Sequence, residues 1–309
     1  MSEQKYRLVT RGDFDGVVSG ALLLERDLIN EIVFAEPKDI QAGYFDVGPN
    51  DILTNLPYVE AAHLCIDHHA SEVKRVGDND NLIIDPDAPS AARVVYNHFG
   101  GAAAFPEISL EMMDAVDQAD AAQYSEEEIL APNPWILLNF ILDPRSGVDR
   151  IGSFAISREQ FMKDVMIYCR RHPIDEILRI PDVEERLHLY TKHEEYFERQ
   201  LKRCSSVHGK LLVCDMRGEK ELFVGNRFML YAIYPQCNIS IQVIPEENGT
   251  QTLLAVGKSL LDRTSQVDVG LLMLEYGGGG HKQVGSCRVA NEQVDDVLAA
   301  LVDVITADA

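Results

Sequence analysis

Positive charge is what this sequence has least of: 28 lysines and arginines face 50 aspartates and glutamates, a formal net charge of −22. So acidic a chain repels long polyanions, which excludes sequence-independent binding of duplex nucleic acid unless the basic residues gather in one cleft. A short or metal-chelated anion stays within reach. Aromatic residues are also scarce, at 7 % with Trp135 the single tryptophan, which argues against an extended channel of base-stacking rings. No run of about 18 apolar residues occurs, and the opening MSEQKYRLVT lacks a basic segment followed by an apolar core. No membrane partner is expected, and cytoplasm is the default location. The six cysteines, Cys65, Cys169, Cys204, Cys214, Cys237 and Cys287, form no CxxC pair and no zinc-like spacing, and are read as reduced thiols.

What is present is an ordinary globular composition, 46 % hydrophobic and 25 % charged over 309 residues. That length makes about two domains, each able to bury a core without disulfide staples. Tyr6 to Thr10 reads as a strand running into RGDFDG and then a helix, VVSGALLLERDL. Further strands are expected at 31–35, 43–47, 61–66 and 82–85, with DILTNL a short helix between the second and third of these. Ser90 is placed to cap a helix AARVVYNHF. Strands alternating with helices predict an α/β fold with a mainly parallel sheet. From about residue 109 to 203 the pattern is helical, ending in a charged segment without Gly or Pro that reads as a helix joining two domains. Strands return at 210–216, 221–224, 238–244 and 251–257, with helices at 226–232, 267–276 and 291–307. These predict a smaller C-terminal α/β or α+β domain.

The polar signals fall at the carboxyl ends of the expected strands, the edge where open α/β sheets bind ligands. In GDFDG, Asp13 and Asp15 present two carboxylates from a strand-to-helix turn, suited to a divalent cation. A turn with an Asp cap and a Gly at positive φ is the plainer alternative. Asp46 ends GYFDV, where it either reaches the same edge or is an ordinary strand-end acid. Asp67, His68 and His69 follow the apolar run AAHLCI, and imidazole with carboxylate suits Mn, Fe or Zn better than Ca. Asp114, Asp117 and Asp120 recur every third residue, so they are either partly aimed at the strand ends or a solvated helix face. Last, YGGGGHKQVGS places four costly glycines inside a domain; their N–H groups can form an anion nest, with His281 and Lys282 as further donors.

In this order, GDFDG, the strand ending at Asp46, CIDHH and GGGGHKQVGS resemble the DHH phosphoesterase superfamily with its DHH-associated C-terminal domain, over nearly the whole chain. The resemblance implies a phosphoesterase domain at 1–182, a linker helix at 183–206 and a substrate-binding domain at 207–309, with an active-site cleft between the lobes. It implies Mn²⁺ as cofactor, one or two ions, with Mg²⁺ or another divalent cation as substitute. Asp13, Asp15, Asp46, Asp67 and His68 become metal ligands, His69 orients the phosphate, and Asp120 followed by Tyr124 fits the family's fourth motif better than Asp117. Gly278, Gly279, Gly280 and His281 would face the substrate phosphate, with Arg263 and, less closely, Lys258 as basic partners. The implied activity is metal-assisted hydrolysis of short oligoribonucleotides or dinucleotides. An exopolyphosphatase acting on polyphosphate, or a weakened relative that only binds nucleotide or phosphate, are the alternatives, and a homodimer is compatible with either. Many members carry a His where Val9 stands. Loss of that ligand, with Arg11 nearby, predicts weaker binding of one metal or a single-metal centre.

Overall fold

The computed structural model describes residues 4–246 and 248–307, which divide into two compact units. The first comprises residues 1–123 and 132–190, the second 124–131 and 191–309. No helix among the described residues is long and apolar enough to cross a membrane.

In chain order, the first part of the molecule contains β1 (Tyr6–Thr10), α1 (Phe14–Glu25), β2 (Ile29–Phe34), α2 (Pro37–Gln41), β3 (Asp51–Thr54), β4 (Leu64–Asp67), α3 (Ala70–Val76), β5 (Leu82–Ile84) and α4 (Ala91–His98). Helices α5 (Leu110–Asp120), α6 (Glu126–Leu130), α7 (Pro134–Leu142), α8 (Val148–Ile151), α9 (Arg158–Tyr168), α10 (Ile174–Ile177) and the 24-residue α11 (Pro181–Cys204) follow. The five strands form one wholly parallel sheet in the order β2-β1-β3-β4-β5. The chain leaves β1 for one neighbour and returns to pair β3 on its other side. Strand order therefore reverses at β1 and β3, the place where such sheets open a crevice.

Parallel strands are covered on both faces and so read as short apolar runs. Leu8 and Val9 of β1 and Leu53 of β3 are fully buried, and α1 is buried on nearly every side from Phe14 to Leu23. A helix apolar all round belongs inside a core; α1 packs on α4, α5 and α9. Each such Leu or Phe contributes about 2 kcal/mol relative to exposure.

Two local expectations are corrected. Residues 43–47 form no strand: the chain leaves α2 through Gly43 at φ +70°, with Gly43 N donating to Ile40 O and Tyr44 N to Asp39 O. The alternation that looked like a strand is real, since Phe45 and Val47 pack on the core while Tyr44 and Asp46 are exposed, but no ladder uses it. DILT, expected as part of a helix, is β3, all four residues buried between β1 and β4.

The second unit holds α6 and, after α11, β6 (Ser205–His208), β7 (Leu211–Asp215), α12 (Met229–Ile233), β8 (Ile239–Pro245), β9 (Gln251–Lys258), α13 (Val269–Leu274), β10 (Gly279–Gly280), β11 (Val284–Ala290) and α14 (Val294–Ala307). Six strands make a mixed sheet in the order β10-β11-β9-β8-β7-β6, antiparallel except for the β7–β8 pair. One face packs α13 and α14 through Leu254, Val256, Met273, Leu301 and Ile305. Residues 221–224, expected as a strand, pair instead with side chains of α11: Phe223 N donates to Gln200 Oε1 and Val224 N to His193 Nδ1. The cysteines are free, and burial pushes the Cys169 thiol up to about 12.

Gly16 sits where α1 leaves the β1 turn. A Cβ there would lie 2.0 Å from Arg11 O, in the turn that leads to Asp13 and Asp15, and 2.8 Å from Thr10 Oγ1 at the end of β1. Overpacking against backbone costs about 1–3 kcal/mol. Gly16→Ala is expected to lower the unfolding free energy by at least that amount in a urea titration followed by circular dichroism.

Candidate functional site

The carboxyl ends of β1, β3 and β4 meet at the reversal of strand order. Thr10 and Thr54, the last residues of β1 and β3, bond across the pair: Thr54 Oγ1 donates to Thr10 Oγ1 at 2.8 Å, and Thr10 Oγ1 to Thr54 O at 3.1 Å. Beyond them the RGDFDG turn is held from far along the chain by Arg158, whose Nη2 donates to Gly12 O at 2.9 Å and to Leu142 O at 2.7 Å. Asp13 caps α1, its Oδ1 accepting from Gly16 N at 3.0 Å, so the plain reading of this Asp as a helix cap is correct. Its Oδ2 lies 3.1 Å from Arg11 Nε.

Asp15 is 2 % exposed and accepts from Ala91 N at 3.0 Å and Ala92 N at 2.7 Å, the first amides of α4. Helix amides favour an anion there. On the other side, ligand atoms of Asp15, His68 and Asp120 lie within 4.8 Å of one another. His68 Nδ1 is 3.1 Å from Ala88 O, an acceptor only, so the proton sits on Nδ1 in the neutral ring and the Nε2 lone pair faces the carboxylates. Nε2 lies 2.9 Å from Asp120 Oδ2 but off the hydrogen-bond axis. Asp67, 1 % exposed at the end of β4, accepts from His69 Nδ1 at 2.8 Å through Oδ1, while its Oδ2 is buried without a hydrogen-bond partner. Asp67, His68 and His69 also bring ligand atoms within 4.8 Å of one another.

Burial and mutual repulsion dominate the electrostatics of this edge. Burial, then Asp120, push the Asp15 carboxyl well above its ordinary range, offset in part by His68. Burial raises Asp13 against the pull of Arg11. Burial alone would lower His68, yet Asp120 and Asp15 outweigh it and raise the imidazole to about 9. A buried Asp67 oxygen without a hydrogen-bond partner, beside carboxylates that repel one another, fits a divalent cation, and the mixed oxygen and imidazole donors fit a first-row metal.

Other expected residues fall elsewhere. Asp46 is exposed at the opposite end of the strands, its carbonyl accepting from Arg7 Nη2 at 3.0 Å beside the Arg7–Asp51 ion pair. Asp117 is engaged by Ser90 Oγ at 2.6 Å and Arg93 Nε at 2.7 Å, and Asp114 also meets Arg93. Tyr124 is buried against Phe228 within the second unit. Val9 is wholly buried in the core and offers no donor. The β3 end contributes Asn55, which the sequence reading passed over: 2 % exposed, at φ +56°, with Nδ2 donating to Asp13 Oδ1 at 3.4 Å. Arg145, paired with Asp143, adds a positive charge that acts on Asp13 and Asp120. A buried strand ending in Asn was the signal for the first; nothing local marked the second.

In the second unit Gly277–Ser286 forms a tight hairpin. Gly279 and Gly280 pair with Ser286 and Gly285, and His281 N donates to Val284 O at 2.7 Å. A Cβ on Gly278 would lie 2.1 Å from Ser286 O, and on Gly280 2.3 Å from Gly285 Cα, so these two serve close backbone packing. Gly279 has open space at that point, and His281 and Lys282 are exposed at the tip. Lys258, at the end of β9, donates to Ser265 O at 3.1 Å; burial, then Lys282, lower its pKa. Arg263, exposed on the following loop, donates from Nε to Leu260 O at 3.3 Å. Lys258 thus joins Lys282 beside the hairpin, two cations of a kind suited to a phosphate.

Carboxylates and an imidazole gathered at the carboxyl edge of a parallel sheet define an α/β protein with a centre of the kind that holds divalent cations. No protein-family model and no curated protein matches the sequence. Among solved structures it is similar to PggH, a pGpG-specific phosphodiesterase of Vibrio cholerae, at 47 % identity and TM-score 0.87, covering 99 % of this chain and 100 % of that one. It also resembles CDC45 of Entamoeba histolytica (8 % identity, TM-score 0.55, 98 % and 96 % covered) and RecJ of Thermus thermophilus solved with Mn²⁺ (13 %, 0.50, 98 % and 52 %). These last two are likenesses of fold. The chain belongs to the DHH phosphoesterase superfamily.

The two acids of α5 are expected to separate experimentally. Asp120→Asn should weaken Mn²⁺ binding by at least about ten-fold in equilibrium dialysis. Asp117→Asn should leave it within about two-fold and instead cost about 1–3 kcal/mol of stability, through the contacts with Ser90 and Arg93.

Proposed function

We propose that the protein is a metal-dependent phosphodiesterase that hydrolyses short linear dinucleotides, of which pGpG is the first candidate, to mononucleotides. The observation that carries this reading is the full-length likeness to the Vibrio cholerae phosphodiesterase. The converging donors at the β1, β3 and β4 ends supply the chemistry it needs.

Asp15, Asp67, His68 and Asp120 would hold the cation, with Asp13 beside them. When bound, a divalent cation there lowers the pKa of a coordinated water toward neutrality and neutralises phosphoryl oxygens. Ala88 O fixes the His68 tautomer of the neutral ring, which would leave Nε2 to hold the cation. His69, held by Asp67 Oδ1, is positioned to orient a phosphoryl oxygen. The second unit would bind substrate through the Gly279 backbone, His281, Lys258, Lys282 and Arg263, donors matched to phosphate. Water attacks the bridging phosphorus and the 3′-oxygen leaves with a proton, so one pGpG and one water give two molecules of GMP. An acidic surface suits so small an anion better than a long strand, whose many phosphates it repels.

The test is product analysis by chromatography with the purified full chain, Mn²⁺ and, in separate reactions, pGpG, a 20-nucleotide RNA and polyphosphate. Rapid conversion of pGpG to GMP is expected, with the long RNA slow and polyphosphate untouched. Turnover of polyphosphate alone, or of none of the three, would overturn the reading. Asp67→Ala should lower turnover by more than about 100-fold together with bound metal. His281→Ala should keep its metal and raise KM by about 10-fold or more, the loss of one hydrogen bond to a charged group.

A further inference from the structure

We propose that the centre binds one divalent cation rather than a pair, with Arg11 supplying in fixed form the positive charge a second cation would bring, and Asn55 as the neutral group that keeps the second position weak. The inference rests on the reading of the strand-end donors as a metal centre and concerns how many ions they hold.

The donors divide into two sides. On one, Asp15, His68 and Asp120 converge, and the neighbouring Asp67 keeps a buried oxygen without a hydrogen-bond partner. The other side has Asp13 and Asn55. Both oxygens of Asp13 are engaged, Oδ2 with Arg11 Nε at 3.1 Å and Oδ1 with Gly16 N and Asn55 Nδ2.

Asn55 follows directly on β3, beside β1 in the sheet, and is the neighbour that Asp13 would need as an acid to offer a cation two carboxylates on this side. Its amide orientation is fixed by Asp13, since turning it over would set two acceptor oxygens 3.4 Å apart. Oδ1 is then the buried amide atom without a hydrogen-bond partner. A non-glycine residue at φ +56°, buried at a ligand-bearing edge, is backbone strain of the kind found at functional positions. An amide oxygen contributes a dipole but no charge. Divalent ions take about four to six donors, several of them anionic. The second position offers one carboxylate already paired with a guanidinium, one neutral oxygen and, at Val9, only a buried hydrocarbon.

The experiment is equilibrium dialysis of the full-length protein against Mn²⁺ alone, with bound metal counted by elemental analysis and folding checked by circular dichroism. The wild type should saturate at one Mn²⁺ per chain, with any second event at least about 100-fold weaker. Asp13→Asn should retain that ion, and the double variant Arg11→Gln with Asn55→Asp should take up a second. Two ions of similar affinity in the wild type, or a single ion that Asp13→Asn abolishes, would overturn the proposal while leaving the phosphodiesterase reading in place. No bound Mn²⁺ at any concentration would overturn both.

Discussion

Burying negative charge beside negative charge is the constraint from which the rest of the first unit follows. Asp15 and Asp67 are almost wholly shielded from water, and Asp13 and Asp120 stand close by. Left alone, such groups pick up protons or disrupt the fold. The protein meets the cost with what it has near: the first amides of α4 for Asp15, a guanidinium and a helix N-terminus for Asp13, a histidine for Asp67. What these leave without a hydrogen-bond partner is an oxygen of Asp67 and the His68 Nε2 beside Asp120.

The parallel sheet makes the arrangement feasible. Its strands all point their carboxyl ends one way, so residues far apart in sequence arrive at one edge without a long loop to carry them. The same geometry explains which parts of the centre were legible beforehand. Asp13, Asp15, Asp67, His68 and Asp120 could be read because their residue types mark ligation and they follow apolar runs that form strands, or close a helix. Asp46 followed such a run too, but Gly43 ends α2 in a left-handed turn and the segment after it packs on the core without joining the sheet. Misplacing that strand also hid β3, and with it Asn55. A neutral amide draws no attention in a sequence, and its meaning depends on where a buried four-residue strand ends.

The glycine run shows how a sequence signal can carry more than one role. Four glycines pointed toward an anion nest. The hairpin gives Gly278 and Gly280 a steric reason, because β11 passes too close for any side chain, and Gly277 a conformational one at φ +71°, which leaves Gly279 with open space and no positive φ to account for it. Close packing and open space thus fall on adjacent residues of one tetrad. The cations near it come from two places, the end of β9 and the hairpin tip, which no linear motif would group.

Arg158 has a consequence in time as well as space. Its guanidinium bonds the carbonyl of Gly12, 146 residues earlier, and that of Leu142. A ribosome releases all five strands and their acidic edge well before α9 emerges. During that interval the turn carrying Asp13 and Asp15 lacks the anchor that Arg158 later gives it. The turn is therefore fixed by a helix that adds no group to the acidic edge, and only once the first unit is nearly whole.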